Sequence, residues 1–179
     1  LMYGWIIEGL GLNREINPTI ESNIMTLAEF MEYVDATKKF DDIGEKDWFV
    51  KNGAVDTVVA LGLFEGTGPR TFSPNMNMTR AMFVTVLMRL SGVEADNNVK
   101  TRFRDVKSGA WYAGAVAWAV DMGIVDGTSY FTFSPDAPIT REQIVTILYR
   151  YAKAEPVTED HLAGFTDADQ VAYFANDAM

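Results

Sequence analysis

The chain has 179 residues, 48% of them hydrophobic, and carries a formal net charge of −10. That length and apolar content suit one globular domain and argue against disorder. The charge disfavours nucleic acid and anionic membranes as partners, so an anionic ligand would need local donors that outweigh the global field. Cysteine is absent, which excludes disulfides, thiolate metal sites and a cysteine nucleophile. No apolar run reaches the roughly eighteen residues of a membrane span, and no membrane insertion is expected.

The chain starts at Leu1 without the charged and apolar segments of a signal peptide, so a mature form or a fragment is expected, with any export signal outside it. Near the start, Asn17-Pro18 precedes Thr26-Leu27-Ala28-Glu29-Phe30. Thr26 with Glu29 reads as the capping box that opens a helix.

Two longer segments then match each other. Phe40, Asp42 and Trp48 recur as Phe103, Asp105 and Trp111, and Gly62, Gly66, Phe72, Pro74, Thr79, Arg80, Leu87 and Arg89 recur as Gly123, Gly127, Phe133, Pro135, Thr140, Arg141, Leu148 and Arg150. A gap of about two residues after Trp48 brings the copies into register, and so many identities at fixed spacing mark an internal repeat. Each copy reads helix, loop, helix. Ala54, Val55, Val58 and Val59, and then Tyr112, Ala115, Val116, Ala119 and Val120, have helical spacing. Gly62 and Gly123 follow where a helix end favours a left-handed residue. Second helices start after Thr79 and Thr140. Thr140 has Gln143 at the third position and so forms a capping box, whereas Met82 denies one to Thr79. These helices are expected to bury Phe83, Val86, Leu87 and Leu90, and Ile144, Ile147, Leu148 and Tyr151. Short extended pieces are expected at Thr71-Phe72 and Thr132-Phe133.

Polar links run from Glu94 to Thr101 and from Ala154 to Glu159. After them, Phe165-Thr166-Asp167 and Tyr173-Phe174-Ala175 repeat the first half of a copy. The expected organisation is a second-half copy at 1–39, full copies at 40–93 and 103–154, and a first-half copy at 165–179, together one all-α domain.

These motifs resemble the S-layer-homology (SLH) repeat: Phe-x-Asp-Val, Trp-Tyr, Gly-Ile-x-x-Gly, Phe-x-Pro, and Thr-Arg-Ala-Glu opening a helix. The second copy supplies Phe103-Arg104-Asp105-Val106, Trp111-Tyr112, Gly123-Ile124-Val125-Asp126-Gly127, Phe133-Ser134-Pro135 and Thr140-Arg141-Glu142-Gln143. The first supplies Phe40-Asp41-Asp42-Ile43, Trp48-Phe49, Gly62-Leu63-Phe64-Glu65-Gly66, Phe72-Ser73-Pro74 and Thr79-Arg80-Ala81-Met82. The resemblance implies a pseudo-threefold spindle around a central helix bundle. It also implies grooves between adjacent repeats that hold a secondary cell-wall polysaccharide, often one with a pyruvate ketal. The implied location is the cell surface or wall of a bacterium. The partner would be a wall polysaccharide linked to peptidoglycan. The chain departs from the pattern at Leu27, where the family has arginine, and in the last copy, where Tyr173 or Phe174 stands nearest the tryptophan slot.

Arg80 and Arg141 are the sharpest candidates for the ligand site. Each follows a helix N-cap, where a cation opposes the helix macrodipole, and repeated violation of a local rule suggests another use. The start of a helix offers N–H groups to an anion, and a guanidinium beside it adds a planar fork for a carboxylate. The alternative is a salt bridge to Asp42, Asp105 or another acid. Thr79 and Thr140, the caps beside the arginines, belong to the same candidate site. Trp48 and Trp111 either stack on a sugar or fill the core. Asp42 and Asp105 either accept from sugar hydroxyls or cap the following turn. Gly66 and Gly127 allow a tight turn and a close ligand approach. Arg89 and Arg150 are given no ligand role, because a cation late in a helix suits the dipole. A groove at the Leu27 helix is expected to be dead or altered.

No catalytic constellation is visible, and no enzyme activity, cofactor or metal is expected. His161 stands in a polar link, no phosphate loop or Gly-x-Ser-x-Gly is present, and Asp41-Asp42 and Glu159-Asp160 read as solvated turns rather than glycosidase carboxylates. Asp167 and Asp169 lack the glycine and closing glutamate of a calcium loop. The competing function is a structural or protein-interaction module of a surface protein without carbohydrate binding. Reading Phe165–Met179 into Leu1–Val34 gives one nearly complete repeat. The two ends are therefore expected to lie close, within or between chains, with Tyr173, Phe174 and Ala178 near Trp5, Ile6 and Phe30. The terminal half-repeats thus also offer a route to self-association.

Overall fold

The computed structural model describes residues 35–94, 96–154, 162 and 164–178. Leu27, the Thr26–Glu29 capping box, Trp5, Ile6, Phe30 and His161 lie outside these residues, and so do the expected closure of the two ends and the fate of the Leu27 groove. The chain divides into two compact units, Leu1–Met76 and Asn77–Met179, and the boundary falls inside the first full copy. The described residues are helical, with no strand beyond isolated bridges, as expected for the all-α class.

In the first unit, α1 (Ala36–Lys39), α2 (Trp48–Lys51) and α3 (Ala54–Ala60) surround a small core. Asp35 caps α1 by accepting from Thr37 N–H, and the Ala36 N–H donates to Asp56 of α3 at 2.8 Å. Phe40 and Ala36 are fully enclosed, with Ile43 and Val55 buried beside them and Phe49, Val59 and Phe72 packed around. Gly62 ends α3 at φ 68°, the left-handed conformation expected of it.

In the second unit, α4 (Arg80–Leu90) packs on α5 (Ala113–Asp121), and α6 (Arg141–Ala152) packs on a 3-10 segment, Tyr173–Ala178. Thr79 caps α4 by accepting from Met82 N–H. Thr140 and Gln143 form the complete capping box at α6, and Gly123 follows α5 at φ 69°. The contacts follow chain order: the second helix of one copy is covered by the first helical segment of the next.

That order corrects the expected burial of the second helices. On α4 the enclosed residues are Ala81, Val84, Leu87 and Met88, while Phe83, Val86 and Leu90 are half-buried. The small residues of α5, Ala113, Ala115 and Ala119, are all buried, and with Val116 they pack in one core with Val84, Leu87 and Met88 of α4. On α6, Ile147 is buried, but Leu148, the counterpart of Leu87, is 42% exposed. Here the cover is one short 3-10 segment instead of a two-turn helix, and it reaches less of the face.

Candidate functional site

The Phe-Ser-Pro loop is built alike in both copies. Asp42 accepts from the N–H groups of Phe72 and Ser73 at 2.8 and 2.7 Å, and Asp105 accepts from those of Phe133 and Ser134 at 2.9 and 2.8 Å. Both carboxylates thus brace a loop about thirty residues onward instead of capping the turn that follows them. Ser73 and Ser134 sit at φ 59° and 60°, a left-handed conformation unusual for serine. Thr67 and Thr128 hold them through hydroxyl contacts of 2.6 and 2.7 Å. Beneath each loop a phenylalanine pair packs, Phe40 on Phe72 and Phe103 on Phe133. Gly66 and Gly127 lie where a Cβ would strike backbone carbonyls and the ring of Phe40 or Phe103, so both positions require room, and Gly66 also adopts a left-handed φ of 88°.

Arg80 is only 6% exposed. Its guanidinium stacks 4.8 Å from the Phe133 ring centre. It donates to Phe133 O at 2.9 Å, Gln143 Oε1 at 3.1 Å and Asp126 O at 3.1 Å. All three acceptors belong to the next copy and are uncharged, so among the described residues no carboxylate touches this buried cation. Burial pushes its pKa below the ordinary arginine value, with Asp105 acting in the opposite direction at longer range.

Arg80 lines a cavity of about 320 Å³. Val125, Ile147 and Phe174 provide its apolar wall, Gly127, Thr128 and Gln143 its neutral polar one, and Arg150 a second guanidinium. Arg150 is paired with Asp126 at 3.1 Å, and Asp126 also faces Arg102 at 3.7 Å. A cation late in a helix suits the dipole and gives no signal of a ligand role, yet the Arg150 side chain reaches the same cavity as Arg80. Gln143 both caps α6 and lines the cavity.

At α4, contrary to expectation, the helix start offers no free N–H groups to an anion. The N–H groups of Arg80 and Ala81 donate to Ala137 O and Pro135 O at 3.0 Å each, and those of Met82 and Phe83 go to Thr79. The following loop has taken the donors that an anion was expected to use, so at α4 recognition is left to side chains.

The other candidates are dispersed. Arg141 and Thr140 are exposed and do not line this cavity. No following Phe-Ser-Pro loop covers α6 as the second copy's loop covers α4. Thr79 is half-buried at its cap. Trp111 is 54% exposed and packs edge-on against Tyr112. In the first unit Trp48 is 74% exposed and packs edge-on against Phe49. Neither tryptophan fills a core. Among the described residues no group of three His, Asp or Glu could hold a metal ion, and no helix is long and apolar enough to cross a membrane.

The first full copy thus passes its arginine, Arg80, into the loop of the second, as expected of tandem helical repeats. Residues 39–82 and 102–145 match the S-layer homology domain, and through these two tandem repeats the chain belongs to that family. It is 31% identical over 142 residues to a surface-layer 125 kDa protein of Lysinibacillus sphaericus, covering 79% of this chain and 12% of that protein. It is 32% identical over 140 residues to a cellulosome-anchoring protein of Acetivibrio thermocellus, covering 76% of this chain and 30% of that protein. An amylopullulanase of Thermoanaerobacterium thermosulfurigenes is 30% identical over 152 residues, 84% of this chain but 8% of the enzyme. The chain therefore spans a small fraction of these relatives. Its repeats are an anchoring module of the cell surface, and they are not themselves catalytic.

Proposed function

We propose that this chain holds a larger protein on the cell wall by gripping an anionic secondary wall polysaccharide without a covalent bond, and that the Arg80 cavity receives its charged group. The observation that carries this reading is a buried guanidinium that no carboxylate touches among the described residues, beside a cavity large enough for a sugar ring. A desolvated arginine binds a carboxylate more strongly than an exposed one does, because little water competes. Arg80 is the local cation an anionic polymer needs within a chain of negative net charge, since Arg150 at the same cavity is held by Asp126. A pyruvate ketal, with a carboxylate fixed on a compact ring, suits the mixed apolar and cationic lining. Thr128 and Gly127 border the space where sugar hydroxyls would lie.

The roles of Arg141, Thr79, Thr140, Trp48, Trp111, Asp42, Asp105 and Gly66 belong to the same proposal. Each full copy presents one set of them, and in the first copy Arg80 is completed by the loop of the second. The segments 1–39, 40–93, 103–154 and 165–179 act on this reading as one array, closing as a pseudo-threefold spindle. Its supporting observation is the chain-order packing of α4 on α5 and of α6 on Tyr173–Ala178.

The test is co-sedimentation with purified wall sacculi, before and after extraction of the secondary polymer. The expected result is binding that disappears on extraction and falls by about 2–5 kcal/mol in Arg80→Ala. Equal binding to extracted sacculi, or by the variant, would favour a structural or protein-interaction module instead.

A further inference from the structure

Between the glycine and the Phe-Ser-Pro loop each copy makes a narrow turn, closed by the bridges Gly68 to Thr71 and Ser129 to Thr132. The tips are Pro69-Arg70 in the first copy and Tyr130-Phe131 in the second. Their backbones are tied down identically: Asp41 N–H donates to Arg70 O, and Arg104 N–H to Phe131 O, each at 2.9 Å. Their side chains are not. In the first copy Arg70 forms an ion pair with Asp41. In the second, Arg104 stacks 4.6 Å over the Phe131 ring, a cation–π contact that replaces the ion pair at the same place in the repeat.

The exchange leaves Tyr130 standing out of the surface at 72% exposure. Phe131 supports it edge-on, with ring centres 4.6 Å apart and planes at 89°. Arg102 lies 5.7 Å from its ring centre and 4.9 Å from that of Phe103. Arg102 in turn faces Asp126, which lines the Arg80 cavity and holds Arg150. Tyr130 is thus linked to the cavity rim through two side-chain contacts and through four residues of chain.

We propose that Tyr130, with Arg102 beside it, is an extension subsite of the Arg80 cavity and takes the sugar ring next to the charged residue of the polymer. This rests on the polysaccharide reading given above. The ring face of an aromatic is electron-rich and attracts the weakly positive C–H face of a sugar. A tyrosine already braced by Phe131 and Arg102 loses little freedom on binding. Its hydroxyl and the Arg102 fork supply donors for sugar hydroxyls. Tyr130 fills no core in this unit, so its packing gives no reason for a large aromatic at the tip. Carbohydrate fits better than a protein surface, because the ring is bordered by a charged donor and its turn follows directly on Gly127 and Thr128, which line the cavity.

The experiment is calorimetric titration of the full chain with two probes: the pyruvate ketal of a methyl hexoside, and a trisaccharide ending in the same ketal. The trisaccharide should bind the unaltered chain more tightly. Tyr130→Ala should weaken the trisaccharide about fivefold and leave the single ketal unchanged, while Tyr130→Phe should retain most of the gain. An equal loss for both probes in Tyr130→Ala, or no loss for either, would overturn the extension subsite. Arg80→Ala separates the two proposals, since it should weaken both probes alike. If the unaltered chain binds neither probe, the polysaccharide reading falls and the subsite falls with it. Circular dichroism of the variants excludes unfolding as the cause, as the Tyr130 side chain is mostly in solvent.

Discussion

The Arg80 Nη1 lies 3.1 Å from Gln143 Oε1, joining the start of one repeat's second helix to the first turn of the next repeat's. The same oxygen accepts from the Thr140 N–H at 3.4 Å, so one amide closes a capping box and orients the buried cation. Gln143→Met, which installs the residue type of Met82, should lose both contacts. The expected result is a stability loss of about 1–2 kcal/mol in urea unfolding together with weaker sedimentation on sacculi. Thr140→Ala should cost about 1 kcal/mol and weaken wall binding less than Gln143→Met does, because Arg80 keeps its partner. Equal wall binding by the two variants would deny Gln143 its positioning role.

Acid should loosen the first unit through Asp42. The hydrogen bonds from the Phe72 and Ser73 N–H groups hold this carboxyl below its ordinary value of 3.8. The Arg70 hydrogen bond does the same for Asp41. A carboxyl whose pKa is depressed by folding contributes fully above its unfolded value and loses that contribution as pH falls through the folded one. The window therefore opens near 3.8 and extends downward. Carboxyl NMR should give Asp42 a midpoint below 3.8, and Asp42→Asn should remove its part of the pH dependence. A midpoint at or above that value would contradict the loop-bracing role.

Glycine substitutions should rank by what surrounds them. At Gly127 an added Cβ strikes the carbonyls of Ser129 and Thr132 and the Phe103 ring. Two of those three obstacles are backbone, which yields little, and Gly127→Ala should cost about 3 kcal/mol. Gly123 has open space but φ +69°, so Gly123→Ala should cost about 1 kcal/mol. Gly44 has open space and no left-handed φ, so alanine there should be nearly neutral. Thermal melts of the three variants check the order, and a milder Gly127→Ala than Gly123→Ala would refute the packing argument.

Leu87 and Leu148 occupy the same place in their repeats, at 4% and 42% exposure. Leu87→Ala should cost about 2–4 kcal/mol by opening the seam between α4 and α5. Leu148→Ala should cost under about 1 kcal/mol, since less of its apolar surface leaves water on folding. Urea unfolding of the two variants measures the difference, and equal costs would mean that α6 is covered as fully as α4.

The local signals in the sequence were enough for the repeat and its helices. Thr79 and Thr140 mark the helix starts through a side-chain cap, and Gly62 and Gly123 mark the stops through a left-handed φ, because both devices act within about one turn of chain. Family membership was legible for the same reason, since its motifs are runs of neighbouring residues. What could not be read was the division between the two arginines at equivalent positions. Arg80 and Arg141 have almost the same local sequence, yet one is enclosed and the other exposed. The partners that enclose Arg80 lie 46, 53 and 63 residues onward. Its burial is set by the following copy's loop, which also takes the N–H groups at the start of α4. The recruitment of Arg150 and Phe174 to the same cavity is likewise a matter of how α6 and the last segment pack. Helix starts and stops were decided by residues within a turn of one another; the site was decided by contacts between copies, which only the tertiary structure brings together.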